Sequence, residues 1–549
     1  MSTPSISTDP SSSLVPQPHL IFAKLVPANI EAQRLFSELA EAVLSNPTNP
    51  EYMHYAKFLH IEPYSPNPPD HQTRQESQES QTATDTDDEI SVKSSPNYQG
   101  HYILSFEVDP LIPDIGWVIG FGRRSKKQSA DSGPVDLLLA TPGTSSAKFE
   151  VAGKHARLFF DKDAVLTLKV FSHRGYVTAL GNEGFKEGQR SITTRKSRVS
   201  FGSLSYSLEF SDLNEEEYNN ALRKYLKNHL NREAPSSDIS ATPSPMDTLV
   251  GEWNIRGTVG NGSFGVVNVT KNIRTGETGA AKCLVRNSIE THAKILREID
   301  TLKALPRNPR LLQYFAEYYE RGERWYTGIL DESDERYRLR TRPEKVIIMY
   351  GPFVRFNLSE ELFLKQPLNI RMAAFYQVLQ GLVGLHGEGF IHRDIKPSNI
   401  GVVKQSADTI EIVILDYGET VRAERCEPCP GKAGTIPFLA PEMERRPYGK
   451  EVDLWATGIV GMQLFVSGGK LLWRNVVNAE AAWRKQVAVL QSAPANSVQN
   501  LLASMIAWDP AKRTPADIAL KHPCFNDVRI ACDVETQEAS KLGSKRKHT

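Results

Sequence analysis

The side chains of this protein that could do chemistry sit in short, ordered segments. HRDIKPSN (392–399) offers Asp394 as a carboxylate able to accept a hydroxyl proton, with Asn399 five residues on as an oxygen donor to a metal ion. Asp416, in DYG after the alternating run TIEIVIL, is a second hard donor, suited to magnesium that bridges phosphates and neutralises charge during in-line transfer. Lys282 lies in AAKCL on an apolar strand, and Glu298 in LREIDTLKAL on an amphipathic helix. Paired, they would aim the ammonium at phosphate oxygens; alone, either is an ordinary surface charge. Upstream, GTVGNGSFGVVNV sets Gly260, Gly262 and Gly265 at G-x-G-x-x-G spacing, with Val267 two residues on, between strand-like runs. Glycine there lets the backbone approach phosphates and turn tightly, although the same pattern alone equally marks a hairpin. Together these parts describe phosphoryl transfer from ATP, with magnesium, to a hydroxyl group.

Farther along come GTIPFLAPE (434–442), DLWATG (453–458) and DPAKRTPADIALKHPCF (509–525). In this order and spacing, residues of about 253–525 resemble the eukaryotic protein kinase fold, an α+β bilobal structure with a β-rich small lobe and a helical large lobe. Lys396 resembles the Ser/Thr branch of that family. The resemblance implies that Lys396 contacts the transferring phosphate and that Thr435 shapes the substrate loop. It also implies that Glu442 and Arg513 form a buried ion pair and that Asp453 braces the catalytic loop. Tyr417 stands where the family has Phe, so its hydroxyl needs a partner if buried. The strand VIIMYGPF (346–353) would meet adenine through its backbone, with Ile348 or Met349 as gatekeeper. RAERCEPCPGKAG (422–434) has no hydroxyl residue, so Arg393 is expected to lack an activating phosphate and to use Glu424 or Glu427 instead. Cys426 and Cys429 form a lone C-x-x-C pair, which reads as two ordinary thiols.

At 549 residues the chain is too long for one core. Lys+Arg and Asp+Glu balance at 65 each, so no net field draws it to nucleic acid or an anionic membrane, and protein substrates are the expected partners. Five cysteines argue against a disulfide framework. The N-terminus lacks a basic region followed by an apolar core, and no stretch approaches the roughly 20 apolar residues of a membrane span. An intracellular protein, cytoplasmic and/or nuclear, is expected. Residues 1–99 read as mostly disordered, being Ser/Pro-rich at 1–20 and poor in apolar residues at 63–98. They hold one short helix, in which Ala32, Leu35, Phe36, Leu39 and Val43 follow a cap at Asn29. Residues 213–252 read as helix and linker, and 526–549 as a basic tail, with Lys541 and Lys545 to Lys547 either solvated or an import signal.

Residues 100–212 show short alternating runs such as VLTLKVF (165–171) and YSLEF (206–210) between Gly, Asp and Ser turns, an all-β sandwich. GWVIGFGRR (116–124), AGKHARLFF (152–160) and FSHRGYV (171–177) resemble a forkhead-associated domain, which binds phosphothreonine-containing proteins. The resemblance makes His155 structural and matches Gly122-Arg123, while Ala152 and Arg174 stand where the family has Ser and Asn. Arg123 and Arg174 could together still form a bidentate anion site, and the alternative is a sandwich that only docks on the kinase or on a partner. Ser77 and Ser80 each precede Gln, a layout that resembles the checkpoint kinases of DNA damage and also arises by chance in a Gln/Ser-rich stretch. The fold class is thus multidomain: a bilobal kinase preceded by an all-β sandwich and disordered segments. A rival reading is a scaffold, or pseudokinase, in which the β-domain carries the function; it would be expected to lack Lys282, Asp394 or Asp416, and none is missing.

Overall fold

A computed structural model describes residues 13–65, 96–122, 133–171, 176–179, 184–233, 242–262, 265–321, 324–327, 344–354, 356–359, 361–406, 408–423, 433–466 and 478–529. Arg123, Arg174, Ser77, Ser80, Glu424, Glu427, Cys426, Cys429 and the tail lysines lie outside these residues. The chain divides into two compact units, residues 1–256 with 271–277 and residues 257–270 with 278–549.

In the first unit, alternation of apolar and polar residues builds a two-sheet sandwich. Leu204–Phe210 buries every second residue, pairing with Lys196–Phe201 on one side and Ile21–Pro27 on the other. The second sheet runs Gln189–Ser191, Leu166–Val170, Ala156–Phe160, Trp117–Gly120 and Leu137–Leu138 in order. Phe22, from the first sheet, meets Trp117 edge-on at 5.3 Å between ring centroids, and Phe160 at 5.4 Å. The sandwich therefore begins well before residue 100. Ile21–Pro27 is an interior strand, flanked by Tyr98–Ser105 as well as Leu204–Phe210, and Leu59–Pro63 adds an edge. Ser13 and Leu14 bond to Ile61, so the ordered part also includes residues expected to be disordered. Helix Ile30–Ser45 starts where expected, with the Asn29 side chain accepting from Ala32 N (3.1 Å), and its buried Phe36 packs edge-on against Tyr102.

In the segment 213–252 the expected helix is present, and residues 234–241 of the expected linker lie outside those described. Glu215–Leu230 is a helix capped by Asn214, but it is a wall of the sandwich core and not a spacer: Tyr218, Leu222, Tyr225 and Leu226 are buried, and Tyr225 stacks on Trp117 at 5.7 Å. Its polar face dominates its composition, which hides the apolar stripe. Residues 271–277 belong to this unit through Lys271, whose buried ammonium lies 2.8 Å from Asp161 and 2.6 Å from Asp163.

The second unit combines a β-rich and a helical part. Strands Trp253–Gly262 (from residue 257), Gly265–Asn272 (to residue 270), Thr278–Arg286, Glu344–Gly351, Gln313–Arg321 and Arg324–Tyr326 follow one another in its antiparallel sheet. A Cβ at Gly265 would come 2.4 Å from the Cys283 carbonyl oxygen, so only glycine permits this strand approach. Helix Ile289–Ala304 is capped by Ser288 and buries Ile295, Glu298, Ile299 and Leu302. The helical part is organised by Leu368–Gly387 and Glu451–Phe465, both apolar nearly all round because neighbours cover them on most sides. Gln377, buried in the first of these, donates to Ile410 O (2.7 Å) and accepts from Ile412 N (3.0 Å), tying the helix to the strand that leads to Asp416. Among the described residues no helix is long and apolar enough to cross a membrane.

If Glu215–Leu230 is part of the core, Tyr225→Ala should destabilise the first unit by about 3–5 kcal/mol, as truncation of a packed aromatic does. Denaturant unfolding followed by tryptophan fluorescence reads this directly, because Trp117 is the stacking partner; an unchanged midpoint would show that the helix does not support the core.

Candidate active site

The strand Thr278–Arg286 delivers Lys282 and the helix Ile289–Ala304 delivers Glu298, each onto a buried face. Lys282 Nζ is 2.7 Å from Glu298 Oε1 and 3.2 Å from Asp416 Oδ1. Burial alone would lower the Lys282 pKa, but the charges of Glu298 and Asp416 overcome it and hold the ammonium protonated. Burial raises Glu298, with Asp416 adding to the effect against Lys282. For Asp416, burial is outweighed by Lys282, and its pKa falls below the ordinary carboxylate value. One cation thus serves two carboxylates, and an anionic ligand would share it.

Asp394 is the hub of the second cluster. Its Oδ1 accepts from Thr435 Oγ1 (2.7 Å), its Oδ2 lies 2.7 Å from Lys396 Nζ, and Asn399 Nδ2 donates to Oδ2 at 3.0 Å and to the Asp394 carbonyl at 2.9 Å. Lys396 Nζ also donates to Thr435 Oγ1 (2.9 Å). Sequence reasoning did not single out His392, which joins this cluster to the next strand: its Nδ1 accepts from Asp394 N (3.3 Å), and its Nε2 lies 3.0 Å from the Leu415 carbonyl. Below it, buried Asp453 accepts from the backbone N–H groups of His392 and Arg393, both at 2.8 Å, with His386 Nε2 at 2.9 Å. Glu442 and Arg513 form the expected buried pair, with Nη2 donating to Oε2 at 2.9 Å. The signal for His386 was its place near the end of an apolar helix, which by itself suggests only packing.

Leu415 N donates to the Asn399 carbonyl (2.8 Å), which brings Asn399 and Asp416 side by side. Asn399 spends its amide nitrogen on Asp394, leaving the amide oxygen as its donor atom. Among the described residues no group of three or more His, Cys, Asp or Glu is fit to hold a metal. Magnesium needs no such cage, since one or two protein ligands plus phosphates and water suffice, so this pair fits it. Tyr417, with its ring 5.3 Å from that of His392, is fully buried and finds the partner its hydroxyl requires in the Ile414 carbonyl at 3.2 Å. Gly260 and Gly262 fall in Trp253–Gly262, and Gly265 opens the next strand, with Val267 on it, beside the strand that carries Lys282. In the register Ile348 stands opposite Lys282 and Met349 opposite Ala281.

Residues 253–525 match the family described as the protein kinase domain; the match does not reach the sandwich. Among curated proteins, the chain is 29% identical over 311 residues to an Aurora kinase of Yarrowia lipolytica, covering 54% of this chain and 76% of that protein. It is 24% identical over 288 residues to calcium-dependent protein kinase 14 of Arabidopsis thaliana, covering 51% of this chain and 50% of that protein. Similarity to calcium/calmodulin-dependent protein kinase type 1 of Caenorhabditis briggsae is 24% over 296 residues, covering 75% of that protein. The chain spans about half the length of the calcium-dependent kinases it matches.

Arg393 has a left-handed backbone (φ 67°), and its side chain is already engaged: Nε donates to Glu419 O (2.6 Å), Nη1 to Tyr448 Oη (3.1 Å), and Nη2 lies 3.7 Å from Glu419 Oε2. Glu419 is thus an acid beside Arg393, while Glu424 and Glu427, which the sequence suggests for this charge, lie outside the described residues. Glu419→Gln should lower kcat about ten-fold, whereas phosphatase treatment of the wild-type protein should leave it unchanged. Steady-state assays on both preparations decide it; activity lost on dephosphorylation, with the site mapped to 424–435, would reverse the assignment.

Proposed function

We propose that the protein kinase domain of residues 253–525 transfers the terminal phosphoryl group of Mg-ATP to serine and threonine hydroxyls of protein substrates. The observation that carries this reading is the arrangement around Asp394, a carboxylate whose neighbours are a lysine, a hydroxyl and a metal-competent amide. Bound Mg-ATP supplies the phosphoryl group and the cation that offsets its charge. Asp394 accepts the proton of the acceptor hydroxyl; Thr435 Oγ1, donating to Oδ1 at 2.7 Å, shows that a hydroxyl fits against this oxygen. Lys396 Nζ bridges Asp394 and Thr435 and offers a positive charge where charge develops on the transferring group. Lys282, oriented by Glu298, holds phosphate oxygens, and Asn399 and Asp416 hold the metal. The scaffold reading is not favoured, since each of these charged groups is present and paired with its counterpart.

For the first unit we propose forkhead-associated-like recognition of phosphothreonine segments, which would bring substrates or partners to the kinase domain. Its support is the two-sheet sandwich and the fully buried His155, whose Nδ1 accepts from Ala152 N (3.1 Å) and shapes the intervening turn. Gly122 and Phe171, which precede the stretches containing Arg123 and Arg174, bond to the two ends of that turn, at Gly153 and His155.

Two comparisons test these readings. Asp394→Asn should lower kcat by about 10²–10⁴-fold with Mg-ATP affinity unchanged, while Asp416→Ala should weaken Mg-ATP binding itself. Calorimetric titration beside a phosphotransfer assay separates the two, and equal turnover by Asp394→Asn would overturn the assignment. A phosphothreonine peptide should bind the full chain weakly and lose affinity in Arg123→Ala; tight binding insensitive to that change would place the contact elsewhere.

A further inference from the structure

The strand Ala156–Phe160 alternates buried Ala156, Leu158 and Phe160 with Arg157 and Phe159, so the period of two puts the arginine and Phe159 on one outward face of the first unit. The Arg157 guanidinium lies over the Phe159 ring at 4.4 Å and 5.6 Å from the Phe171 ring, and its Nη1 donates to the Ile115 carbonyl (2.9 Å). Its Nε is sealed from water and meets no acceptor among the described residues. Burial holds its pKa below the ordinary guanidinium value, and no described carboxylate counters the effect. A cation is therefore fixed in place with part of its hydrogen-bonding capacity unused.

Arg157 lines a cavity of about 470 Å³ whose walls belong entirely to the first unit. Arg232 lines it too. Asn231, at φ 46°, ends helix Glu215–Leu230 in a left-handed residue and turns the chain back, so that Arg232 N donates to Leu226 O (3.1 Å) and its Nη2 to the Phe160 carbonyl (3.5 Å). Lys162 adds an exposed ammonium from the turn after the strand. Arg157, Lys162 and Arg232 form no ion pair with a described residue. Of the described carboxylates in the wall, Asp161 is already engaged: Oδ2 is 2.8 Å from Lys271 Nζ, and Oδ1 accepts from the backbone N–H groups of Asp163 and Val165, both at 3.0 Å. Asp114 is exposed and unpaired among the described residues.

We propose that this cavity binds a phosphate monoester. Such a group presents three oxygens and close to two negative charges near neutral pH, so it can take the Arg157 and Arg232 forks and the Lys162 ammonium together. A carboxylate has two oxygens to offer and fills fewer of these donors. Asp114 opposes the incoming charge and limits how tightly it is held. The strand begins at the His155 turn and ends beside Asp161, about 15 Å away at roughly 3.3 Å per residue, so the site is separate from the phosphothreonine reading of that turn and does not rest on it. The group could arrive as a free phosphate ester or as a phosphorylated side chain of a protein.

The experiment is calorimetric titration of the phosphatase-treated full chain without magnesium, in a background carrying Arg123→Ala and Arg174→Ala. The probes are free O-phosphoserine and a phosphoserine peptide of otherwise neutral sequence, beside its unphosphorylated twin. Arg232→Gln and Lys162→Gln, which leave the core intact, should each weaken binding about ten-fold. Arg157→Lys, which keeps the charge and loses the fork, should weaken it several-fold, and Asp114→Asn should tighten it several-fold. A peptide that binds at least ten-fold more tightly than free phosphoserine, with the twin silent, assigns the group to a protein; equal affinity assigns it to a free ester, and either supports the site. Absence of binding by both phosphorylated probes, or binding that none of the four variants changes, would overturn it. Binding by the wild type that vanishes in the Arg123→Ala, Arg174→Ala background would also overturn it, and would support the phosphothreonine reading instead.

Discussion

The arrangement around Asp394 hangs on a carboxylate that never meets solvent. Asp453 sits at the start of a helix buried on nearly all sides and accepts two backbone N–H bonds from His392 and Arg393. Burial would push its pKa up, but His386, His392 and those N–H groups more than offset this and keep it ionised. Each charge-assisted bond of this kind contributes about 1.5–3 kcal/mol, and an unmet buried donor costs about 1–3 kcal/mol. That is sufficient to hold Arg393 at a positive φ, which a non-glycine residue otherwise avoids. With residues 392 and 393 fixed to the helical core, the positions of Asp394, Lys396 and Asn399 follow from their spacing along a short, rigid loop.

Two other buried charge groups extend the same logic across the second unit. Glu442 and Arg513 lie far apart in sequence, and Arg513 also donates to the carbonyls of Glu451 and Ala507 and covers the Trp455 ring at 4.8 Å. A pair satisfied this fully specifies which segments meet, even where it adds little net stability over an apolar substitute. The Lys282, Glu298 and Asp416 group differs because its cation is left with two carboxylates, a balance that an incoming anion changes. The first group is built to stay as it is, and the second to respond to a ligand.

The parts of the candidate site were legible in the sequence because each depends on a few adjacent residues. HRDIKPSN fixes the offset of Asp394, Lys396 and Asn399 by chain connectivity alone, and the Asn29 cap with its apolar spacing defines helix Ile30–Ser45 within one segment. The same locality explains the errors. Ile21–Pro27 finds its partners in Tyr98–Ser105 and Leu204–Phe210, so nothing near it in sequence reveals an interior strand. In the helix Glu215–Leu230 charged residues outnumber the few that pack against Trp117 and Phe106, so the sequence shows a helix without showing that it belongs to the core.

The sequence by itself determined which chemical groups are available and in what order: a lysine, two aspartates and an asparagine in settings suited to phosphotransfer, and no hydroxyl in the middle of the following loop. Only the tertiary structure decided their partners. It placed Glu419 and Tyr448 beside Arg393 and gave the Tyr417 hydroxyl to the Ile414 carbonyl. The reason is physical: a motif is set by bond geometry over a few residues, whereas a partner is set by which distant surfaces the buried core brings within hydrogen-bonding distance.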